Sequence, residues 1–195
     1  MQDLLQQMIA SLSVEDDKFK EKSTPITISP SLPTNTVKYS KLSDGTDIIF
    51  LVHPECNVDV KYHQSTFIEV PIPNLVFCFM VRNHRLVAKH VLCYKDRFLR
   101  DDSQLYYFPF SNVFSDGSMC YHTNIEIKDL VQLQTFPLTW LSEPFNDHLY
   151  YQSNSNFNLP LRELLEKTQG GSFDYTMLKK KSIDFNTWSS KLINY

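Results

Sequence analysis

Glycine is scarce in this chain, with four in 195 residues. That leaves little backbone freedom for a nucleophile elbow or a glycine-built oxyanion loop. Paired cysteines are missing as well. Cys56, Cys78, Cys93 and Cys120 form no C-x-x-C and follow no regular spacing. Their arrangement disfavours a structural zinc site or a disulfide framework and fits a reducing compartment. His53, His63, His84 and His90 lie along a strand-rich region without ligand spacing, so neither a metal site nor a cofactor is expected. There is no basic excess: 19 Lys and Arg against 22 Asp and Glu give a net charge of −3. Nucleic acid is therefore not the expected partner, because phosphate binding needs a basic surface. Lys179, Lys180 and Lys181 make the one dense basic run, which reads as a solvated patch. No apolar run approaches the ~20 residues that a bilayer requires. The opening MQDLLQQMIASL has no basic leader before an apolar stretch. A cytoplasmic protein without membrane contact is expected.

What is present is an ordinary globular composition, 42% hydrophobic and 21% charged, long enough to bury a core. Residues 1–36 read as an N-terminal helix followed by a Pro-rich extended arm. Leu4, Leu5, Met8 and Ile9 mark one helical face, a charged stretch covers 15–22, and Pro25, Pro30 and Pro33 hold the remainder extended. Residues 37–195 read as one domain. Strands are expected over 37–42 and 46–53, separated by Ser43-Asp44-Gly45, then near 65–70. The apolar run 75–81 follows, and Arg82-Asn83-His84 turns it back into 85–93. Connections this short make neighbouring strands antiparallel. The expected result is a four-stranded antiparallel meander flanked by helices, an α+β two-layer domain. Helices are expected over 126–135, between Pro137 and Pro144, and over 159–168, the last with Pro160 in its first turn and Gly170-Gly171 past its end.

Residues 112–120, N-V-F-S-D-G-S-M-C, carry the most information. Asp116-Gly117 is a turn signal, because Gly accepts positive φ and Asp bonds its own backbone. A strand ending near Leu105, Tyr106, Tyr107 and Phe108 precedes it, closed by Pro109. The stretch reads as an extended piece, a tight turn, and a cysteine presented on the far side.

This spacing resembles the active-site stretch of ubiquitin-conjugating enzymes, in which an H-P-N tripeptide precedes, across a short turn, the thioester-forming cysteine. Asn112, Val113, Asp116, Gly117 and Cys120 fall in register, while Phe110 and Ser111 stand where that family has His and Pro. The order of parts is also similar, with the cysteine after the strands and before the C-terminal helices. The chain resembles in particular the prokaryotic ubiquitin-conjugating-like family D, which includes protein B of the plasmid-associated PRTRC system. The residues that carry this are the stretch 72–77 (I-P-N-L-V-F), Leu105-Tyr106, Pro109-Phe110, Asn112-Val113, Gly117, Cys120, and Pro144-Phe145 with His148. They cover about residues 45–180. The resemblance implies a carrier in a bacterial conjugation system. Its partners would be an activating enzyme, a ubiquitin-like protein and a target protein.

Thioester carriage needs an accessible thiol, and Cys120 suits it best. Cys78 and Cys93 sit in apolar strands, where a thiol behaves as a small hydrophobe, and Cys56 reads as a loop thiol. Asn112 has two readings: its amide donates to the oxyanion of the tetrahedral intermediate, or it only holds the turn. His148 also has two: an acceptor for the proton of an incoming amine, or a surface histidine ending a short helix. His122 lies two residues from the thiol. Two other functions compete with the carrier. One is a catalytically inactive variant that binds a ubiquitin-like protein, motivated by the missing His-Pro pair. The other is a Cys120–His148 hydrolase, which the shortage of glycine ranks last.

Overall fold

The computed structural model describes residues 29–121 and 125–194. The helical face and charged stretch read within residues 1–28, and His122, lie outside the described residues. Among the described residues eight strands occur: β1 (Thr36–Lys41), β2 (Asp47–His53), β3 (Cys56–Tyr62), β4 (Ser65–Ile72), β5 (Leu75–Arg82), β6 (Arg85–Tyr94), β7 (Gln104–Tyr106) and β8 (Lys180–Asp184). Three α-helices among the described residues join them: α1 (Phe136–Leu141), α2 (Leu161–Thr168) and α3 (Phe185–Ile193).

Six strands form one antiparallel sheet in the order β1-β2-β5-β6-β7-β8, and β3 and β4 form a separate two-stranded sheet. The four-stranded meander expected from the sequence is thus corrected to a wider sheet. Two physical causes account for it. The connection from β2 to β5 folds on itself as the β3–β4 hairpin, and β7 and β8 add to the side of β6. Cys56 accordingly opens a strand instead of lying in a loop.

β5 explains why the sheet is covered on both sides. Its run L-V-F-C-F-M-V is apolar at every position because Leu75, Phe77, Phe79 and Val81 face one core and Val76 and Cys78 face another. The first core is closed by the β3–β4 hairpin, α1 and α2, through Val60, Phe67, Trp140, Leu141, Leu161, Leu164 and Leu165. The second is closed by α3, whose Phe185 and Trp188 rings both stand 5.7 Å from Phe50. Each such side chain contributes about 1.5–3 kcal/mol when fully buried. Helices therefore occupy both faces, not the single second layer expected.

The segment expected to be helical over 126–135 is a 3₁₀ turn, Leu130–Thr135, running directly into α1. A reciprocal capping box of Asp129 and Gln132 starts it. The β5–β6 connection is tight, with Asn83 at φ 50° and His84 at φ 60°, the left-handed pair that a two-residue hairpin needs. Among the described residues no helix is long and apolar enough to cross a membrane.

Candidate active site

β6 is ten residues long, but β7 pairs only with its end, at Cys93 and Tyr94. The exposed edge that remains is taken by residues 117–119. Val91 donates its N–H to the Gly117 carbonyl at 2.8 Å, and Met119 donates to the Lys89 carbonyl at 3.0 Å. An unpaired edge would leave buried backbone groups unsatisfied, so this pairing fixes the segment firmly.

The same segment is one arm of a small hairpin. Phe114 N–H bonds to the Ser118 carbonyl at 2.8 Å, Gly117 N–H to the Phe114 carbonyl at 2.9 Å, and Cys120 N–H to the Asn112 carbonyl at 2.9 Å. The turn is Ser115-Asp116-Gly117, with Gly117 at φ +100°. Asp116 Oδ1 accepts from both the N–H and the hydroxyl of Ser118, at 2.8 and 2.7 Å. Burial opposes the charge on Asp116, yet these bonds, with His90 and Lys181 nearby, hold its carboxyl below the usual range.

Further ties anchor the hairpin to the rest of the domain. Lys181 Nζ donates to the Ser115 carbonyl at 2.8 Å and stands 4.5 Å from the Tyr107 ring centroid. Lys181 therefore belongs to the hairpin's support, whereas the sequence places it in a solvated patch; burial lowers its pKa, partly opposed by Asp116. Asn112 is buried, sits at φ +67°, and donates Nδ2 to the Pro144 carbonyl at 3.1 Å. Ser111 is fully buried and its hydroxyl accepts the Asn146 N–H at 3.3 Å. Phe110 packs on Phe145, with ring centroids 5.9 Å apart. Phe110 and Ser111 thus bind the 144–146 backbone to the hairpin's base.

Cys120 comes out half-buried, less open than the exposed turn expected. Its neighbours explain this. Met119 is buried in the core, and the Tyr121 ring packs on Phe136 at 5.2 Å, so the thiol lies between two anchored residues. Cys78 and Cys93 are buried in the two cores, and burial pushes both thiols far up. Cys56 lies with its Sγ 3.9 Å from His53 Nδ1, and burial, then Glu55, raises its pKa.

The structure brings Asn112 and Cys120 together through their backbones. His148 is placed differently: it is exposed, seven residues past the end of α1 at Leu141, and its N–H bonds to Asn146 Oδ1 at 2.8 Å. It does not end a helix. The segment that carries it is tied to the β3–β4 hairpin, with Phe145 N–H on the Lys61 carbonyl at 2.8 Å. Asp147 there accepts from the Tyr62 hydroxyl at 2.7 Å and faces His63 Nε2 at 3.0 Å. Those two contacts lower the pKa of Asp147.

Two side chains that sequence reasoning misses flank the thiol's hairpin, and both come from β6. Lys89 is half-buried, with Nζ 5.9 Å from the Tyr121 ring centroid. Burial lowers its pKa, and the charge of Cys120 in thiolate form works in the opposite direction. His90 pairs in register with Ser118, and both its ring nitrogens are buried without a hydrogen-bond partner. Burial favours its neutral form, with Asp116 opposing and Lys89 assisting. No motif marks either residue, because their proximity arises only when 117–119 pairs with β6.

An antiparallel sheet flanked by helices, with a cysteine on an anchored hairpin between them, is the order of parts in a ubiquitin-conjugating-like domain. The family model described as prokaryotic E2 family D, ubiquitin-conjugating-like proteins of prokaryotes, matches residues 6–191, and the chain belongs to that family. The match extends past both ends of the stretch that the sequence motifs cover. Family membership implies dealings with ubiquitin-like proteins and their enzymes in general. No curated protein and no solved structure matches the chain.

Proposed function

We propose that this protein is a conjugating carrier that accepts a ubiquitin-like protein from an activating enzyme as a thioester on Cys120 and passes it to an amine of a target protein. The supporting observation is a half-buried thiol on a hairpin anchored at Val91, Lys89, Lys181 and Pro144, in a chain of this family. In the first step the Cys120 sulfur attacks the acyl carbon of the donor thioester, and the donor's sulfur leaves with the electron pair. In the second step the amine attacks that carbon, Cys120 leaves as thiolate, and the amine loses a proton. Asn112 holds the base of the hairpin in this reading, with its amide committed to Pro144. Exposed His148 stands on the tied segment as the acceptor for the amine's proton. Cytoplasmic, bacterial conjugation is the setting that this chemistry fits, with the domain spanning residues 37–195.

A binding module without catalysis is the second reading, favoured by the buried Phe110 and Ser111 where other conjugating enzymes carry His and Pro. One experiment separates the two. Incubation with the cognate activating enzyme, ubiquitin-like protein and ATP is expected to give an adduct that reductant removes, and Cys120→Ala is expected to give none. Binding of the ubiquitin-like protein without any adduct from the wild-type chain would support the module. An adduct retained in Cys120→Ala would place the carrier function elsewhere.

A further inference from the structure

We infer that His90 is an acid-sensitive release for the hairpin that carries Cys120. While its ring is neutral the arm 117–119 stays paired with β6, and a proton taken up by the ring frees that arm. His90 lies between the two backbone bonds that seat the arm, Met119 N–H on the Lys89 carbonyl at 3.0 Å and Val91 N–H on the Gly117 carbonyl at 2.8 Å. It therefore stands opposite Ser118 in a pair that shares no backbone bond of its own, the kind in which facing side chains approach most closely. On its other side it pairs with Cys78 of β5, which belongs to the second core. A buried thiol and the hairpin thus flank the ring on one face of the sheet. Both ring nitrogens are buried, and neither has a hydrogen-bond partner among the described residues.

A neutral imidazole has one donor and one acceptor to satisfy, whereas an imidazolium has two donors and a charge. A buried polar group without a partner is costly, and a buried unpaired charge is far more so. The groups around the ring do not remove that cost. Asp116, on the hairpin turn, attracts a proton to His90, but its Oδ1 is engaged twice by Ser118 and burial outweighs the attraction. Lys89, on the same strand, repels the charge. Cys78 stays a neutral thiol under burial. Lys181 of β8 is bonded to the Ser115 carbonyl, and Lys191 of α3 acts on Lys181. A proton is accommodated best when the ring meets water. β5 is held between β2 and β6, so the hairpin arm is the cover that can leave. The sign follows from these two states. Burial keeps the ring neutral in the paired arm, and once open to water it titrates near the ordinary value of about 6.5. Pairing is therefore at full strength above about pH 6.5 and weakens as pH falls below it, toward the lower value of the paired ring. This holds whether or not Cys120 carries an acyl group.

The test follows amide hydrogen exchange of the full chain by NMR, corrected for the intrinsic pH dependence of exchange. Protection at the Val91 and Met119 amides is expected to fall about threefold to tenfold from pH 7 to pH 5.5. Amides of the β2–β5 ladder should keep theirs. His90→Gln and His90→Met, which take up no proton in this interval, should show flat protection at both amides. Asp116→Asn should keep the fall, since the Asp116 carboxyl is already ionised throughout. The ring resonances of His90 in the wild-type chain should titrate below about 6.5. A flat wild-type profile, or a fall that survives in both His90 variants, would overturn the proposal. So would loss of the fall in Asp116→Asn, or an equal fall in the β2–β5 ladder, which would mean unfolding of the whole domain. The ring titration is read in the wild-type chain and decides the matter should neither His90 variant fold: a ring that titrates at or above about 6.5 would overturn the proposal.

Discussion

Gly117→Val is expected to dismantle the hairpin that presents Cys120 and to cost the domain about 2–6 kcal/mol. Two effects add. Gly117 sits at φ +100°, a conformation that a β-branched residue adopts only under strain. A Cβ there would also lie 3.2 Å from Leu92 Cδ2 and 3.3 Å from the Val91 carbonyl oxygen. The leucine can shift slightly, but the carbonyl is part of β6 and cannot. Relief requires the Val91–Gly117 bond to open, which releases the arm leading to Cys120. Gly45 is the internal control, because it has φ +84° with nothing within 4 Å of an added Cβ. Gly45→Ala should therefore cost only the backbone term, about 1–2 kcal/mol. Urea unfolding midpoints measure both variants. Equal losses at the two glycines would show that the close approach to β6 has no energetic weight.

Asn112→Ala is expected to destabilise the domain by about 2–3 kcal/mol, since it removes the bond to Pro144 and leaves an alanine at φ +67°. Asn112→Gly separates these effects by relieving the backbone while still losing the bond. Both variants should free residues 144–146 from the hairpin, seen as faster amide hydrogen exchange at Phe145 and Asn146. Unchanged protection there would mean that Ser111 and Phe110 suffice to hold the segment. Discharge of the loaded chain to an amine should fall more than loading does if the amide also serves the oxyanion. Equal loss of both steps would restrict Asn112 to holding the turn.

The hairpin from Asn112 to Cys120 is legible because its signals are local. An Asp-Gly turn between Asn112 and Cys120 is written in nine consecutive residues, and its hydrogen bonds close within them. The β5 run is legible as a strand, and its apolar residues at every position also announce two covered faces, of which the expected two-layer domain supplies one cover. The other cover, α3, has Phe185, Trp188 and Leu192 at helical spacing behind an Asp184 cap. β3 alternates at Val58, Val60 and Tyr62, a signal present but weak beside its polar partners Asn57, Asp59 and Lys61. β8, K-K-S-I-D, carries no strand signal of its own; it pairs because β7 offers an edge. Lys181 and Lys89 join the site for the same non-local reason, through pairing between segments far apart in the chain. The motif singles out Cys120 as the candidate, and only sheet topology identifies the charges around its hairpin.

Charging of Cys120→Ser by the cognate activating enzyme and ATP, with the bond mapped by mass spectrometry, tests the carrier role most directly. The substitution changes the expected thioester to an oxygen ester at the same position. The wild-type adduct should be cleaved by reductant, and the Cys120→Ser adduct should survive reductant, be cleaved by alkali and map to position 120. An adduct that resists alkali, or one that maps to a lysine or to Cys56, would contradict the carrier role.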